Sequence, residues 1–244
     1  MMRIRSAYTL TELLVATAVG SIVMAMAFSS FSIINQKYQK YSDISNLHRG
    51  ATQILNIITR DLRMAGYQDL DTVNGSITSA VITENDYSDI GRGSDAITII
   101  YDIDAQKRIE IKYYLACKES NKCSEEEGLN ADKLYRLYKT KKSKVNSGSW
   151  EIDYEQQAVA DYVDDLQFQY NMANGLDQVT IDSDEIKDLR SVDVSILMRT
   201  ARKHEKDESD YKHELEDNDV NLDGGYIRET FSTTAFTRNL ELGG

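Results

Sequence analysis

The stretch RIRSAYTLTELLVATAVGSIVMAMAF, residues 3–28, decides how the rest of the chain is read. From Leu13 to Phe28 it carries no charge, and its apolar character continues through SSFSII to Ile34. A run of about 22 such residues spans a bilayer core as one helix. Arg3 and Arg5 precede the run on a very short arm, and Lys37 and Lys40 follow it. The positive-inside rule therefore puts the N-terminus in the cytoplasm and the long remainder outside. Glu12 is the odd residue, because a carboxylate at membrane depth is costly. A secretory signal peptide cut near AMAF or SSFS would fit the apolar run, as would a plain signal anchor. Neither requires an acid at position 12.

A third reading does. SAYTLTELLVATAVGSIVMAMAF, with TLTELLVA (9–16) as its most specific part, resembles the N-terminal signal of type IV prepilins and type II secretion pseudopilins. The resemblance implies cutting by a prepilin peptidase on the cytoplasmic side, between Ala7 and Tyr8. It implies N-methylation of Tyr8 and a role in assembly for Glu12, paired with the N-terminal amine of an adjacent subunit. The family usually has Gly where Ala7 stands, Phe where Tyr8 stands and an apolar residue where Thr11 stands. Many major pilins also kink this helix with a proline, and this chain has none. Gly20 and the Ser29–Ser30 pair are the local weak points.

Beyond the apolar run, Ile44, Leu47, Ala51, Ile54, Ile58, Leu62 and Ala65 recur at spacings of three and four. That is one apolar face of a helix. Gly50 is tolerated within it at a cost of about 1 kcal/mol, and Gly66 is placed to cap it. A continuous helix from Tyr8 to Ala65 would be roughly 87 Å long at 1.5 Å per residue. Its first half would be apolar all round and its second half amphipathic. RDLRMAGY (60–67) resembles the end of this helix in minor pilins of the PilW type. VDDLQFQYN (163–171), LRSVDVSILMRT (189–200) and FSTTAFTRNL (231–240) follow in the order that family has them. Arg60, Asp61 and Arg63 read first as an exposed last turn with local ion pairing, and second as a partner contact.

After Tyr67 the apolar period becomes two. DAITIIYDI (95–103) and RIEIKYYLA (108–116) read as strands joined by a turn at DAQK. KLYRLYKT (133–140), VDDLQFQYN, SVDVSILMR and YIRETFSTTAF complete about six strands, with polar loops at 68–94, 118–131 and 201–225. Alternation of this kind predicts an antiparallel sheet with one packed face, and the amphipathic half of the helix is the natural cover. The fold class is α+β and pilin-like: a long N-terminal helix packed on an antiparallel head. The organisation is a leader at 1–7, a helix at 8–66 with about 13–34 in the membrane, and an extracytoplasmic head at 67–244.

The 244 residues carry a formal net charge of −12, which argues against direct binding of nucleic acid. The basic run YKTKKSK (138–144) reads as a solvated loop or hairpin tip. Cys117 and Cys123 are the only cysteines. Outside the cytoplasm they favour a disulfide closing a small loop. Two free thiols or half a metal site are the alternatives, but zinc would need two further ligands. No catalytic constellation is present among the familiar motifs, so the chain reads as a non-enzyme. His48, His204 and His213 read as exposed or capping side chains. Asp219, Asn221 and Asp223, followed by Gly224, match the start of a calcium loop. The twelfth position holds Thr230 instead of the closing Glu, and a hydrophilic turn is the competing reading. Calcium is thus the one cofactor to consider.

The resemblance implies a minor pilin of a type IV pilus that primes filament assembly near the tip, and so serves adhesion, twitching or DNA uptake. It would start as a single-pass precursor in a bacterial inner membrane and finish in the filament at the cell surface. Its partners would be other pilins and minor pilins, the prepilin peptidase and the inner-membrane assembly platform. A minor pseudopilin of type II secretion is the alternative within the same architecture. A membrane-anchored calcium-dependent adhesin is the alternative outside it.

Overall fold

The structure is a computed structural model that describes residues 9–85, 87, 93–117, 134–204, 212–215, 218–221 and 225–240. The chain forms two compact units, 1–45 and 46–244, and each is described by itself. One helix, α1 (Leu10–Met64), runs through both. Its residues in the second unit bury the face that the sequence periodicity marks. Leu47, Ala51, Ile54, Ile58, Leu62 and Ala65 are all buried, joined by Leu55, Thr59 and Asp61. The second unit therefore begins inside the helix, because that helical face is part of the core.

Eleven strands follow among the described residues. They are β1 (Val81–Glu84), β2 (Ala96–Asp102), β3 (Lys107–Cys117), β4 (Tyr135–Val145), β5 (Glu151–Asp161), β6 (Val163–Met172), β7 (Asp177–Gln178), β8 (Leu189–Lys203), β9 (Lys212–Leu215), β10 (Asn218–Asn221) and β11 (Tyr226–Phe236). They make not one sheet but three, all antiparallel: a five-stranded sheet β1-β2-β3-β4-β5, a four-stranded sheet β11-β8-β6-β7 and the pair β10-β9. The central strands β2 and β8 are buried along most of their length, on both faces. The two larger sheets meet at a hydrogen-bonded seam. Asp95 N–H donates to the Leu166 carbonyl (2.8 Å), Phe168 N–H donates to Asp95 Oδ2 (2.9 Å) and Ser94 Oγ donates to Asp165 Oδ1 (2.5 Å).

Two stretches differ from expectation. The basic run is not a loop: Lys139, Lys141, Lys142 and Lys144 all lie on β4. Lys139 pairs with Asp61, Lys141 with Asp153 and Lys142 with Glu110, so partners remote in sequence hold the lysines in the sheet. The second is EIDYEQQAVAD, which forms the edge strand β5 although it has no alternating pattern. Its pairing with β4 shifts register at three places, which marks bulges.

The helix ends as Gly66 requires. Gly66 has φ +75°, and its N–H donates to the Ile100 carbonyl on the edge of β2 (3.0 Å). Asp102 N–H then donates to the Tyr67 carbonyl (2.8 Å), so the chain leaving the helix is stitched to the sheet at once. A Cβ at position 66 would come within 2.6 Å of Leu240 Cδ2 and 3.3 Å of the Ala80 Cβ. Gly66→Ala is expected to lose about 1–3 kcal/mol through left-handed strain and the clash together. Urea unfolding monitored by circular dichroism measures this; a midpoint within error of the parent would contradict it.

Candidate functional site

In the first unit the start of α1 is fixed by its own side chains. Thr9 stands at the N-cap position, and Glu12 is three residues on. Glu12 N–H donates to Thr9 Oγ1 (3.3 Å), and Thr9 N–H donates to Glu12 Oε2 (3.0 Å). The Thr9 hydroxyl also donates to Glu12 Oε2 (3.0 Å). This reciprocal arrangement is a capping box, which satisfies amide groups that a helix start otherwise leaves orphaned. The sequence carried its signature as T-x-x-E before an apolar run, TLTE at 9–12, but the reading of Glu12 as a partner-pairing acid passed over it. Glu12 is therefore useful to its own helix, and a negative charge in the first turn also complements the helix dipole.

The helix that follows is apolar and uncovered. From Leu13 to Gln36 there is no charged residue. Large side chains such as Leu14, Ile22, Met24, Phe28 and Phe31 are exposed, and no part of the apolar stretch is buried among the described residues. The helix is long and apolar enough to cross a membrane. Two of its hydroxyls bond back to the helix: Thr17 Oγ1 donates to the Leu14 carbonyl (3.0 Å) and Ser21 Oγ to the Ala18 carbonyl (2.8 Å). Polar groups satisfied within the helix make an apolar environment tolerable.

Ala7 and Tyr8, the expected cleavage pair and methylation position, lie outside the described residues, as do Cys123 and Asp223. Cys117, the last residue of β3, is disulfide-bonded. The backbone of Asp219 and Asn221 lies on β10, opposite Glu214 and Lys212 of β9. His48 is half exposed, and its Nε2 lies 2.9 Å from Glu229 Oε2 on β11.

In the second unit the polar residue that sequence reasoning misplaced is Asp61. Arg60 and Arg63 are exposed, as expected of a last helical turn, and Arg60 pairs locally with Asp61 Oδ1 (3.3 Å). Asp61 itself is buried. Its Oδ2 accepts from Tyr113 Oη on β3 (2.6 Å) and from Lys139 Nζ on β4 (2.7 Å). Both carboxylate oxygens are thus engaged, and the cluster clamps the helix end to two strands. Burial first, and then the negative charge of Asp61, push the Tyr113 hydroxyl far above the ordinary phenol range. The same two causes push Tyr101 up to about 12. A second cluster ties the four-stranded sheet. Arg228 Nε donates to Asp164 Oδ2 (2.7 Å), Arg199 Nε lies 3.5 Å from Asp164 Oδ1, and the Arg199 guanidinium stacks 4.4 Å from the Tyr226 ring centroid. These clusters join helix to strand and strand to strand.

Removing one partner of a buried pair leaves the other charge uncompensated. Asp61→Ala is expected to lose about 3–5 kcal/mol of stability, and the pair Asp61→Leu with Lys139→Met distinctly less. Chemical denaturation of the three proteins checks the order; equal losses in both variants would contradict the clamp. The tyrosines add a pH dependence. Unfolded tyrosine loses its proton near pH 10, roughly. Folded Tyr101 and Tyr113 keep theirs to higher pH, so between the two values the unfolded chain binds fewer protons. Stability is therefore full below about pH 10 and falls as pH rises above it. Tyr113→Phe should make that alkaline fall shallower in denaturation series from pH 8 to 12, and an unchanged slope would count against the account.

Comparison with known proteins bears on the first unit. Residues 2–28 match the family model described as the prokaryotic N-terminal methylation motif. No curated protein matches the chain. Among solved structures, a type IV-like pilin of Thermus thermophilus is similar over 80% of this chain and 96% of its own, at 11% identity and a TM-score of 0.46. Residues 2–28 thus carry a prokaryotic N-terminal methylation motif.

Proposed function

We propose that this chain is a minor pilin of a type IV pilus, a filament subunit that helps to prime assembly near the tip. One observation carries the reading. The methylation motif sits at the head of a helix whose charge-free stretch, residues 13–36, is exposed throughout among the described residues. Apolar surface on that scale stays out of water. A bilayer covers it in the precursor, and the same segments of neighbouring subunits cover it in a filament. Arg3 and Arg5 hold the short arm on the cytoplasmic side, which puts the Ala7–Tyr8 bond within reach of a prepilin peptidase there.

Glu12 has two roles in this scheme. Cutting before Tyr8 exposes a positive amine one residue from Thr9, at the helix end where the dipole disfavours positive charge. The capping contacts from Thr9 fall on Oε2 of Glu12. The other oxygen, Oε1, is the one that accepts a methylated amine from an adjacent subunit, where a buried charge must be paired. The role is assembly and involves no catalysis. Other pilins and the inner-membrane assembly platform are the partners.

Two measurements test the reading. Mass spectrometry of the mature chain should find N-methyl-Tyr8 at its start; a start after the apolar run, near Ser29 or Ser30, would reject the pilin. Glu12→Gln separates the two roles, because glutamine also serves in a capping box but carries no charge. The variant is expected to insert and be processed normally while recovered filaments fall by about tenfold or more, the equivalent of roughly 1.4 kcal/mol or more. Filaments at the parent level would show that capping alone is what Glu12 provides.

A further inference from the structure

At the end of the five-stranded sheet nearest Gly66, three connections are bound into one piece. They are the loop 67–76 after the helix, the β2–β3 turn at 103–106 and the β4–β5 turn at 146–150. The buried Asn74 links all three. Its Nδ2 donates to the Gln106 carbonyl (2.9 Å), and its Oδ1 accepts from Ser147 N–H (2.9 Å). Val73 N–H donates to the Ala105 carbonyl (2.9 Å), and Asn146 N–H donates to the Gln106 carbonyl (2.9 Å). Arg108, buried and paired with Asp102, donates from Nη2 to the Gly75 carbonyl (2.5 Å). Surface connections are ordinarily mobile and polar, and ordering three of them together costs conformational entropy.

What this rigid end displays is apolar. Leu70 is fully exposed, and Val73, Ile103, Val145 and Trp150 are about half exposed or somewhat less. Ile103, Lys107 and Val145 lie side by side: Ile103 N–H donates to the Lys107 carbonyl, and Lys107 is opposite Val145. Most of the exposed large apolar side chains described on the second unit are at this end. Around them stand four acids, Asp69, Asp71, Asp104 and Glu151, none of which forms an ion pair among the described residues, against two part-exposed lysines, Lys107 and Lys144, so the rim is acidic on balance. An apolar centre with a charged rim is the anatomy of a protein interface.

We infer that this three-loop end is a docking surface for a different protein, one that presents an apolar patch ringed by Lys or Arg. The acidic rim selects the occupant by charge. A second copy of this chain is a poor match. Face to face the two acidic rims repel, and the lysines of β4 that could complement them are largely taken by Asp61, Asp153 and Glu110 within the chain. The inference does not depend on the pilus reading, since it uses the second unit alone.

The test uses the full chain expressed in its own cells. A photo-crosslinking p-benzoylphenylalanine is placed at Leu70, with Gln156 on β5 as the exposed control, and the crosslinked peptides are sequenced. Leu70 should crosslink to another protein, at an apolar peptide flanked by Lys or Arg, with a yield at least about fivefold above Gln156. Adding Asp71→Lys and Asp104→Lys should lower that yield by about fivefold, a change worth roughly 1 kcal/mol. Crosslinks to this chain itself, a yield no higher than the control, or indifference to the charge reversal would each overturn the inference. N-terminal mass spectrometry of the same sample reports on the pilus reading separately, so the two can fail independently.

Discussion

The second unit depends on one carboxylate. Asp61 sits one turn before the helix ends, buried, with Tyr113 and Lys139 sharing one of its oxygens. Hydrophobic packing of Ile54, Ile58 and Leu62 holds the helix against the core but is not directional. The Asp61 contacts are: a tyrosine on β3 and a lysine on β4 must both meet one oxygen, which fixes the rotation of the helix and its position along the strands. Gly66 then turns the chain onto the edge of β2 only a few residues later. The clamp and the turn together place the loop 67–76, and that loop organises the sheet end with its exposed Leu70.

Polar groups inside this head are used as ties, and each has a defined reach. Asp61 joins helix to sheet, Asp164 joins β6 to β8 and β11, and Asp95 joins the two large sheets. Buried charges of this kind do not stabilise more than well-packed apolar residues would. Their effect is on geometry, because a misplaced strand leaves a carboxylate without its donors. With three sheets among the described residues, such ties distinguish the correct arrangement from near alternatives.

Much of the fold was legible in the chain. The helix was, because Leu47 to Ala65 repeats at three and four; so were β2, β3, β6, β8 and β11, because their side chains alternate or run apolar. What was not legible shares a cause. Asp61 was expected in a solvated turn because Arg60 and Arg63 flank it, and its decisive partner, Lys139, lies 78 residues away. The β4 lysines looked like a loop for the same reason, their acids being supplied by other elements. β5 has no buried face, so it had no pattern to read. Glu12 was recognised from its surroundings, yet its local bond to Thr9, three residues back, was overlooked in favour of a remote one. Of the expected site residues, Ala7, Tyr8, Cys123 and Asp223 lie outside the described residues.

The bulged edge of β5 has a consequence for how such a head survives on its own. A straight exposed strand invites any passing extended chain to continue the sheet. Here the ladder is out of step with its neighbour at three places, and Glu151, Asp153 and Glu155 line it with negative charge. An incoming strand would find amides and carbonyls at uneven intervals and carboxylates beside them. The edge therefore discourages indiscriminate sheet growth. Pairing of two such edges is opposed by the backbone itself and not only by net charge.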